Sequence, residues 1–203
     1  MSHPTIRAIT GATKTQSISR NSTALLVIDF QNEYFTGKMP IPDGKAALDN
    51  ANRLIAMADA AGMPVFHVQH VTPAGAPIFA EDGETVAFHA DIQPAEHHAV
   101  VRKSSVSVFP TTDIDAQLKA EGINTLIVSG LMTHACVAGA TRDAVPLGYD
   151  VIVADDACAT RDLTGDDGKT VPHAVLHQAS LVTLSDTFAD VQSTDAILAL
   201  PLV

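Results

Sequence analysis

Three side chains with complementary chemistry stand at the same kind of place in this chain. Asp29 lies near the end of the apolar run 24–30, Lys103 ends the run 99–103, and Cys136 follows the run 125–130. Each run reads as a buried strand. In an open α/β sheet the C-terminal ends of the strands meet in one cleft. After Cys136 the chain reads as a helix to about Gly148, which puts the thiol at a strand-to-helix turn, beside the positive end of a helix. Such a setting lowers a thiol pKa and favours the thiolate. An acid, a cation and a thiol that converge in one cleft predict a nucleophilic site. Each residue alone has a plainer reading: an acid capping a turn, a solvated lysine beside Arg102, a small buried apolar residue. The three together, in this order and at strand ends, favour the site. Cys158 lacks that context and reads as structural.

The elements that must position these groups alternate along the chain. Residues 1–21 read as an irregular arm. After the first strand and a loop at 40–44, Ala51, Leu54, Ile55 and Ala58 recur at helical spacing until Gly62. The run 64–70 is a second strand. Residues 72–96 form a long segment with Pro73, Gly75, Pro77, Gly83 and Pro94. A segment of that length inside a compact domain is usually functional, often a lid. Thr112 and Asp115 match a helix-capping pattern, with Gly122 as the stop. The run 150–154 is a fifth strand. A polar loop at 161–169 leads to a helix with Thr170 as cap and Pro172 in its first turn. The run 180–184 reads as a sixth strand, before a short C-terminal helix or tail. The alternation implies a three-layer α/β fold around a parallel sheet of six strands, with right-handed crossovers.

Composition narrows the class. With 203 residues, the chain is long enough for one domain with a real core, and 46 % of it is apolar. The formal net charge of -11 repels a polyanion, which argues against a nucleic-acid partner. No apolar stretch approaches the roughly 20 residues of a membrane helix. The polar N-terminus lacks the apolar core of a signal peptide. Two cysteines make no disulfide framework. A reduced, cytoplasmic protein with no membrane partner is the expectation.

Ordered segments around the three positions carry a resemblance. They are Leu25-Leu-Val-Ile-Asp-Phe-Gln31, then Val100-Val-Arg-Lys103 with Phe109 and Thr112 behind it, then Val128-Ser-Gly-Leu-Met-Thr-His-Ala-Cys-Val137. Downstream, Thr141-Arg-Asp-Ala144, Gly148-Tyr-Asp-Val151 and Asp155-Asp-Ala-Cys-Ala159 fit as well. Over residues 24 to about 190 the chain resembles the isochorismatase-like cysteine hydrolase superfamily. The resemblance implies that superfamily's α-β-α fold and an Asp-Lys-Cys triad acting on non-peptide C–N bonds. Asp29 would be the general base and Lys103 the cation that stabilises the thiolate. Cys136 would be the nucleophile that forms a thioester. The resemblance also implies a cis peptide at Leu131–Met132, aiming the backbone N–H groups of Met132 and Cys136 at an oxyanion. It further implies a homo-oligomer, a dimer or a tetramer. The apolar tail 196–203 adds a motive for that assembly, although it could dock on its own sheet instead.

Other residues are weaker candidates. Gln31, Phe35, His70, Thr133 and His134 are possible pocket residues. His134, two residues before Cys136, invites a Cys-His dyad, but a substrate-facing or structural role is favoured. The histidines 67, 70, 89, 97 and 98 suggest zinc, yet their spacing supports no tight site. His67 and His70 are three apart on a strand and face opposite sides. Nicotinamidases of the superfamily carry an Asp-x-His element that this chain lacks after its first helix. No metal and no cofactor is therefore expected. The favoured function is a cysteine hydrolase that cleaves an amide, ureide or lactam of a small molecule. The alternatives are an isochorismatase-type vinyl ether hydrolase, a nicotinamidase-like amidase, and a non-catalytic binder that keeps the fold. Specificity is expected to rest on 72–96 and 161–169.

Overall fold

The structure is a computed structural model and describes residues 3–203. Met1 and Ser2, part of the expected arm, lie outside the described residues. In chain order the strands are β1 Thr23–Ile28, β2 Val65–His70, β3 Ala99–Lys103, β4 Thr125–Leu131, β5 Asp150–Ala159, β6 Leu163–Thr164, β7 Thr170–Val171 and β8 Asp190–Gln192. The helices are α1 Ile6–Ile9, α2 Gly44–Ala61, α3 Ile114–Ala120, α4 Ala138–Ala144, α5 His173–Thr187 and α6 Thr194–Leu198. Six strands pair in the order β3-β2-β1-β4-β5-β8. Every pairing in that sheet is parallel. Helices cover both faces, so the three-layer arrangement is the one the alternation predicts.

Burial on both faces explains the unbroken apolar runs. All six residues of β1 are buried. Leu26, Ile28, Phe66, Val68, Leu126 and Val128 face one way and pack against α3, α4 and α5. Leu25, Val27, Val65, Ile127 and Ile152 face the other way and pack against α2 and α6. Helix α2 presents Ala47, Ala51, Leu54 and Ala58 at a 3.6-residue repeat. It ends at Gly62, whose left-handed φ of 68° makes the cap.

Several expected elements differ. The run 180–184 is not a strand but the middle of α5. A short apolar run fits either element. Here Ser180, Leu181 and Leu184 form the buried stripe of a helix. Ser180 and Thr183 turn their hydroxyls back to the carbonyls of Leu176 and Ser180, at 2.7 and 2.8 Å. The sixth strand of the sheet is the three-residue β8 at its edge. Thr170 is in the hairpin partner β7, and Pro172 is the N-cap of α5. Asp162 accepts a hydrogen bond from the His173 amide at 2.6 Å and ties that hairpin to the helix start. Thr112 binds the Ile114 amide at 3.3 Å, but Asp113 is the N-cap of α3 and Asp115 pairs instead with the Tyr149 hydroxyl at 2.8 Å.

The arm and the tail are both tied down. Helix α1 donates the Ile6 amide to Asp186 at 2.8 Å, and the Thr15 amide meets Asp190 at 2.6 Å. Ile18 bridges in parallel to Leu202. Ile197 is fully buried, and Leu198, Leu200 and Leu202 pack against the same cluster. The tail therefore docks on its own chain and supplies no motive for a partner.

Gly130 marks a close approach of β4 to β1. A Cβ there would stand 2.4 Å from the Ile28 carbonyl oxygen, at a φ of +149°. The register of β4 against β5 shifts at the same point. Gly130→Ala is expected to cost on the order of 3 kcal/mol in denaturant unfolding. Gly62→Ala, left-handed but with open space around it, should cost roughly 1–2 kcal/mol. Equal losses in the two variants would show that the β1–β4 approach is not the constraint.

Candidate active site

Sheet order alone places four reactive groups in a row. Neighbouring strands β3, β2, β1 and β4 end in Lys103, His70, Asp29 and the turn that carries Cys136. Asp29 follows β1 with a left-handed φ of 55°, a conformation Asp tolerates better than most residues. Its amide still joins the sheet through the Val68 carbonyl at 2.9 Å. Lys103 comes from two strands away, roughly 10 Å, a gap its long stem spans past His70. Cys136 belongs to a wide helical turn, Thr133–Val137, between β4 and α4. The bond Leu131–Met132 before that turn is cis.

The ammonium of Lys103 organises the row. Its Nζ lies 2.8 Å from Asp29 Oδ2, 3.0 Å from His70 Nδ1, 3.1 Å from the Ser105 carbonyl and 3.4 Å from Cys136 Sγ. An ammonium only donates, so His70 Nδ1 must hold a lone pair towards it. Burial, and then the Lys103 charge, lower the His70 pKa and keep the ring neutral. The triad of charges and thiol is closed off, with Asp29 0 %, Lys103 1 % and Cys136 6 % exposed, while His70 is half-buried.

The thiol differs from its expected state. Its pKa is pushed up to about 12, first by burial and then by the Asp29 charge, with Lys103 opposing. The helix N-terminus does not prevail, because α4 begins two residues later, at Ala138, and the thiol is buried. At neutral pH Cys136 is a thiol rather than a standing thiolate. The Asp29 carboxylate beside it has no well-aligned hydrogen-bond partner on either oxygen among the described residues. Its Oδ2 is held electrostatically by the Lys103 ammonium at 2.8 Å.

Tyr34 is a member of the site that the sequence reading missed. It is buried, and its hydroxyl pKa is raised by burial and by the neighbouring Cys136 and Asp29. The hydroxyl therefore stays a proton donor. Its one signal in the sequence is its place five residues beyond Asp29, in the loop that enters the cleft. Over it lies Phe79, in edge contact with Tyr34 at 5.3 Å and with His70 at 5.0 Å. Phe79 belongs to the 72–96 segment, which also places Ile92 in the core.

The pocket candidates separate. His70 stands in the row. Gln31 does not line a pocket: it binds the His70 carbonyl, the Val86 carbonyl and the His70 amide at 2.8, 2.7 and 2.8 Å. Both its donors are spent clamping β1, β2 and the 72–96 segment together. Phe35 packs on His89 at 4.3 Å. Thr133 and His134 turn the other way, to His177 at 2.8 Å and Thr160 at 2.6 Å. His134 thus engages Thr160, which disfavours it as the base for Cys136. These partners border a cavity of about 300 Å³ lined by Asp43, Asn50, Thr160, His173 and His177. Cys158 also lines it, buried and with a pKa pushed up to about 12.

His67 and His70 do face opposite sides. His67 stacks on His98, while His97 and His98 meet Asp59. That trio lies at the other end of the sheet. Its carboxylate comes from α2, 38 residues before His97, so spacing among the histidines could not reveal it.

A family model described as the isochorismatase domain matches residues 23–196. The uncharacterized isochorismatase family protein YddQ of Bacillus subtilis is 40 % identical over 87 % of this chain and 99 % of its own length. A maleamate amidohydrolase of Pseudomonas putida is 29 % identical over 83 % of this chain and 81 % of its own. The crystal structure of a putative isochorismatase hydrolase from Oleispira antarctica superposes with a TM-score of 0.84, at 39 % identity, covering 90 % of this chain and 98 % of that one. The chain belongs to the isochorismatase family.

The charges around Sγ make opposite predictions for two variants. Asp29→Asn removes the group that raises the thiol pKa, so iodoacetamide should label Cys136 faster than in the parent at mildly alkaline pH. Lys103→Ala should slow it. Each pKa unit changes the thiolate fraction about tenfold. Peptide mapping by mass spectrometry reads the rates, and three equal rates would refute this electrostatic account.

Proposed function

We propose that this member of the isochorismatase family is a cysteine hydrolase that cleaves the C–N bond of a small amide, ureide or lactam through a thioester on Cys136. The observation that carries the reading is the contact of one buried ammonium with both a carboxylate and a thiol, at 2.8 and 3.4 Å. The family's hydrolases of C–N bonds, such as the maleamate amidohydrolase, support it.

In this reading Asp29 takes the Sγ proton as sulfur attacks the carbonyl carbon. Moving that proton only as the bond forms avoids a free thiolate in a buried site, where its pKa would be about 12. The N–H groups of Met132 and Cys136 receive the oxyanion, and one such donor is worth about 10²–10³ in rate. The tetrahedral intermediate collapses and expels nitrogen, which leaves with the Asp29 proton. Water then loses a proton to Asp29 and attacks the thioester carbon. The carboxylic acid departs and Sγ recovers its proton. Lys103 stays charged throughout and offsets the negative charge as it passes between Asp29 and Sγ. His70 and Ser105 hold that ammonium in place, and the Tyr34 hydroxyl offers Sγ a further donor. The 72–96 segment must lift Phe79 for substrate to enter. Asp29 serves every proton transfer of this cycle, which therefore calls for no cofactor and no metal.

A homo-oligomer remains part of the proposal. Helix α5 exposes Val175 and Val182 at 57 % and 49 %, beside Val171 at 42 %. Light scattering that gives a strictly monomeric mass at micromolar concentration would refute it. Among the described residues no helix is long and apolar enough to cross a membrane.

A screen of amides, ureides and lactams for ammonia or amine release tests the chemistry. On a substrate so found, Cys136→Ala and Asp29→Asn are each expected to lose at least about 10³-fold in kcat, with folding intact. Rapid quenching of the parent should trap an acyl group on Cys136, seen by mass. Parent-like turnover in Cys136→Ala would sink the covalent route and favour direct attack by water. Treatment with a chelator should leave turnover unchanged.

A further inference from the structure

We propose that Asp59, His97 and His98 form a binding site for one divalent transition metal ion of the zinc class, separate from the thiol site. Asp59 is in the last turn of α2, and the two histidines directly precede β3. The trio therefore lies at the N-terminal ends of β2 and β3. The reactive row lies at their C-terminal ends, roughly 15–20 Å away along the strands.

The donor atoms are already close to a coordination geometry. His98 Nε2 and His97 Nε2 lie 2.8 and 3.1 Å from Asp59 Oδ1. All three donor atoms fall within 4.8 Å of one another. Zinc ligands at about 2.0–2.2 Å in a tetrahedron stand roughly 3.3 Å apart, so the ion enters as the two contacts to Asp59 open slightly and the exposed His97 ring swings to complete the set. Two imidazoles and a carboxylate suit zinc and its neighbours rather than magnesium or calcium. Glu121 lines the same cavity of about 280 Å³ as Asp59 and His97. Water takes the fourth position, with the Glu121 carboxylate on the cavity wall adding negative charge nearby.

A buried histidine completes the outer shell. His98 Nδ1 lies 3.2 Å from His67 Nε2, and the His67 ring is stacked on it at 5.2 Å between centroids. His67 is 0 % exposed, and its Nδ1 has no hydrogen-bond partner among the described residues. Ligating histidines usually donate their second N–H to a carboxylate, a carbonyl or water, and here the His67 imidazole nitrogen stands in that place. Without metal, His98 donates Nε2–H to Asp59, and its Nδ1 accepts from the Ala95 amide at 3.1 Å. With metal on Nε2, the His98 proton moves to Nδ1 and is donated to His67 Nε2. His67 in turn carries its own proton on Nδ1. The ring charges do not change, and the half-buried Ala95 amide turns to water. The ion would clip α2 to the chain entering β3, and with it the end of the 72–96 segment.

The competing reading is a metal-free trio of two imidazoles sharing one carboxylate oxygen. Calorimetric titration of zinc chloride into tag-free, chelator-treated protein separates the two. We expect one equivalent bound with a dissociation constant in the micromolar range or tighter. His97→Ala and Asp59→Asn should each weaken it by at least about tenfold. The His97 side chain is 69 % exposed, so its removal should leave the fold unchanged by circular dichroism. Cobalt should give the visible absorption of a tetrahedral site in the parent and lose it in both variants. No binding heat in the parent, or parent-like binding in both variants, would overturn the site. Amide turnover should be the same with and without zinc, so the result does not depend on the thiol chemistry.

Discussion

A lysine ammonium with 1 % of its residue exposed is the constraint around which the candidate site is built. Taking an ion of that size out of water costs several kcal/mol unless charge and hydrogen bonds replace the lost hydration. Lys103 has one partner from each neighbouring strand end and one from its own following turn. That requirement links the sheet to the chemistry. β3, β2, β1 and β4 must lie in this order and register for Asp29, His70 and Cys136 to reach one nitrogen. The Gln31 clamp and the close approach at Gly130 hold that register. The left-handed turn at Asp29 lets the chain leave β1 while its carboxylate stays beside Lys103.

The same desolvation separates potential from readiness. Under Phe79 and Tyr34, burial and the Asp29 carboxylate oppose the formation of a second anion on sulfur more than the Lys103 ammonium favours it. The proton therefore stays on sulfur while the site is closed. In the proposed reaction a substrate carbonyl would change that balance, because the negative charge would pass on to an oxygen that backbone N–H groups receive. In this arrangement the cover over the row is part of the electrostatics as well as a barrier to water.

Much of this was legible in the sequence. Apolar runs without polar interruption mark strands buried on both faces, as in β1 and the start of β5, while β2, β4 and the edge strand β3 were located from apolar-rich runs that carry polar residues. Strand-end positions for Asp29, Lys103 and Cys136 followed from those runs. What escaped had no local signal. Ser180 to Leu184 carries strand-prone residues, and only the helical stripe and the back-bonded hydroxyls around it decide for α5. β8 is three residues long and owes its state to the edge of the sheet. Gln31 reads as a polar residue entering a cleft, whereas its donors are consumed by backbone from two distant segments. Tyr34 looks like any loop aromatic until Phe79 folds over it. The thiol's position was legible but its protonation state was not, since burial depends on contacts far apart in the chain. Asp59 and its histidines come together only because α2 runs back along the sheet.

The raised thiol pKa has a consequence for the lifetime of the protein. Peroxide and most electrophiles attack thiolate, and the oxidised acids beyond the first step are not recovered by ordinary reductants. In the folded, closed state Cys136 and Cys158 both hold their protons against such attack. In a nascent or unfolding chain they are ordinary thiols with a pKa near 8.5. The pairing of β1 with β4, which joins Thr23 to Thr125, must close before that protection exists. Oxidative ageing of this protein should therefore follow how often it opens rather than how much oxidant surrounds the folded form.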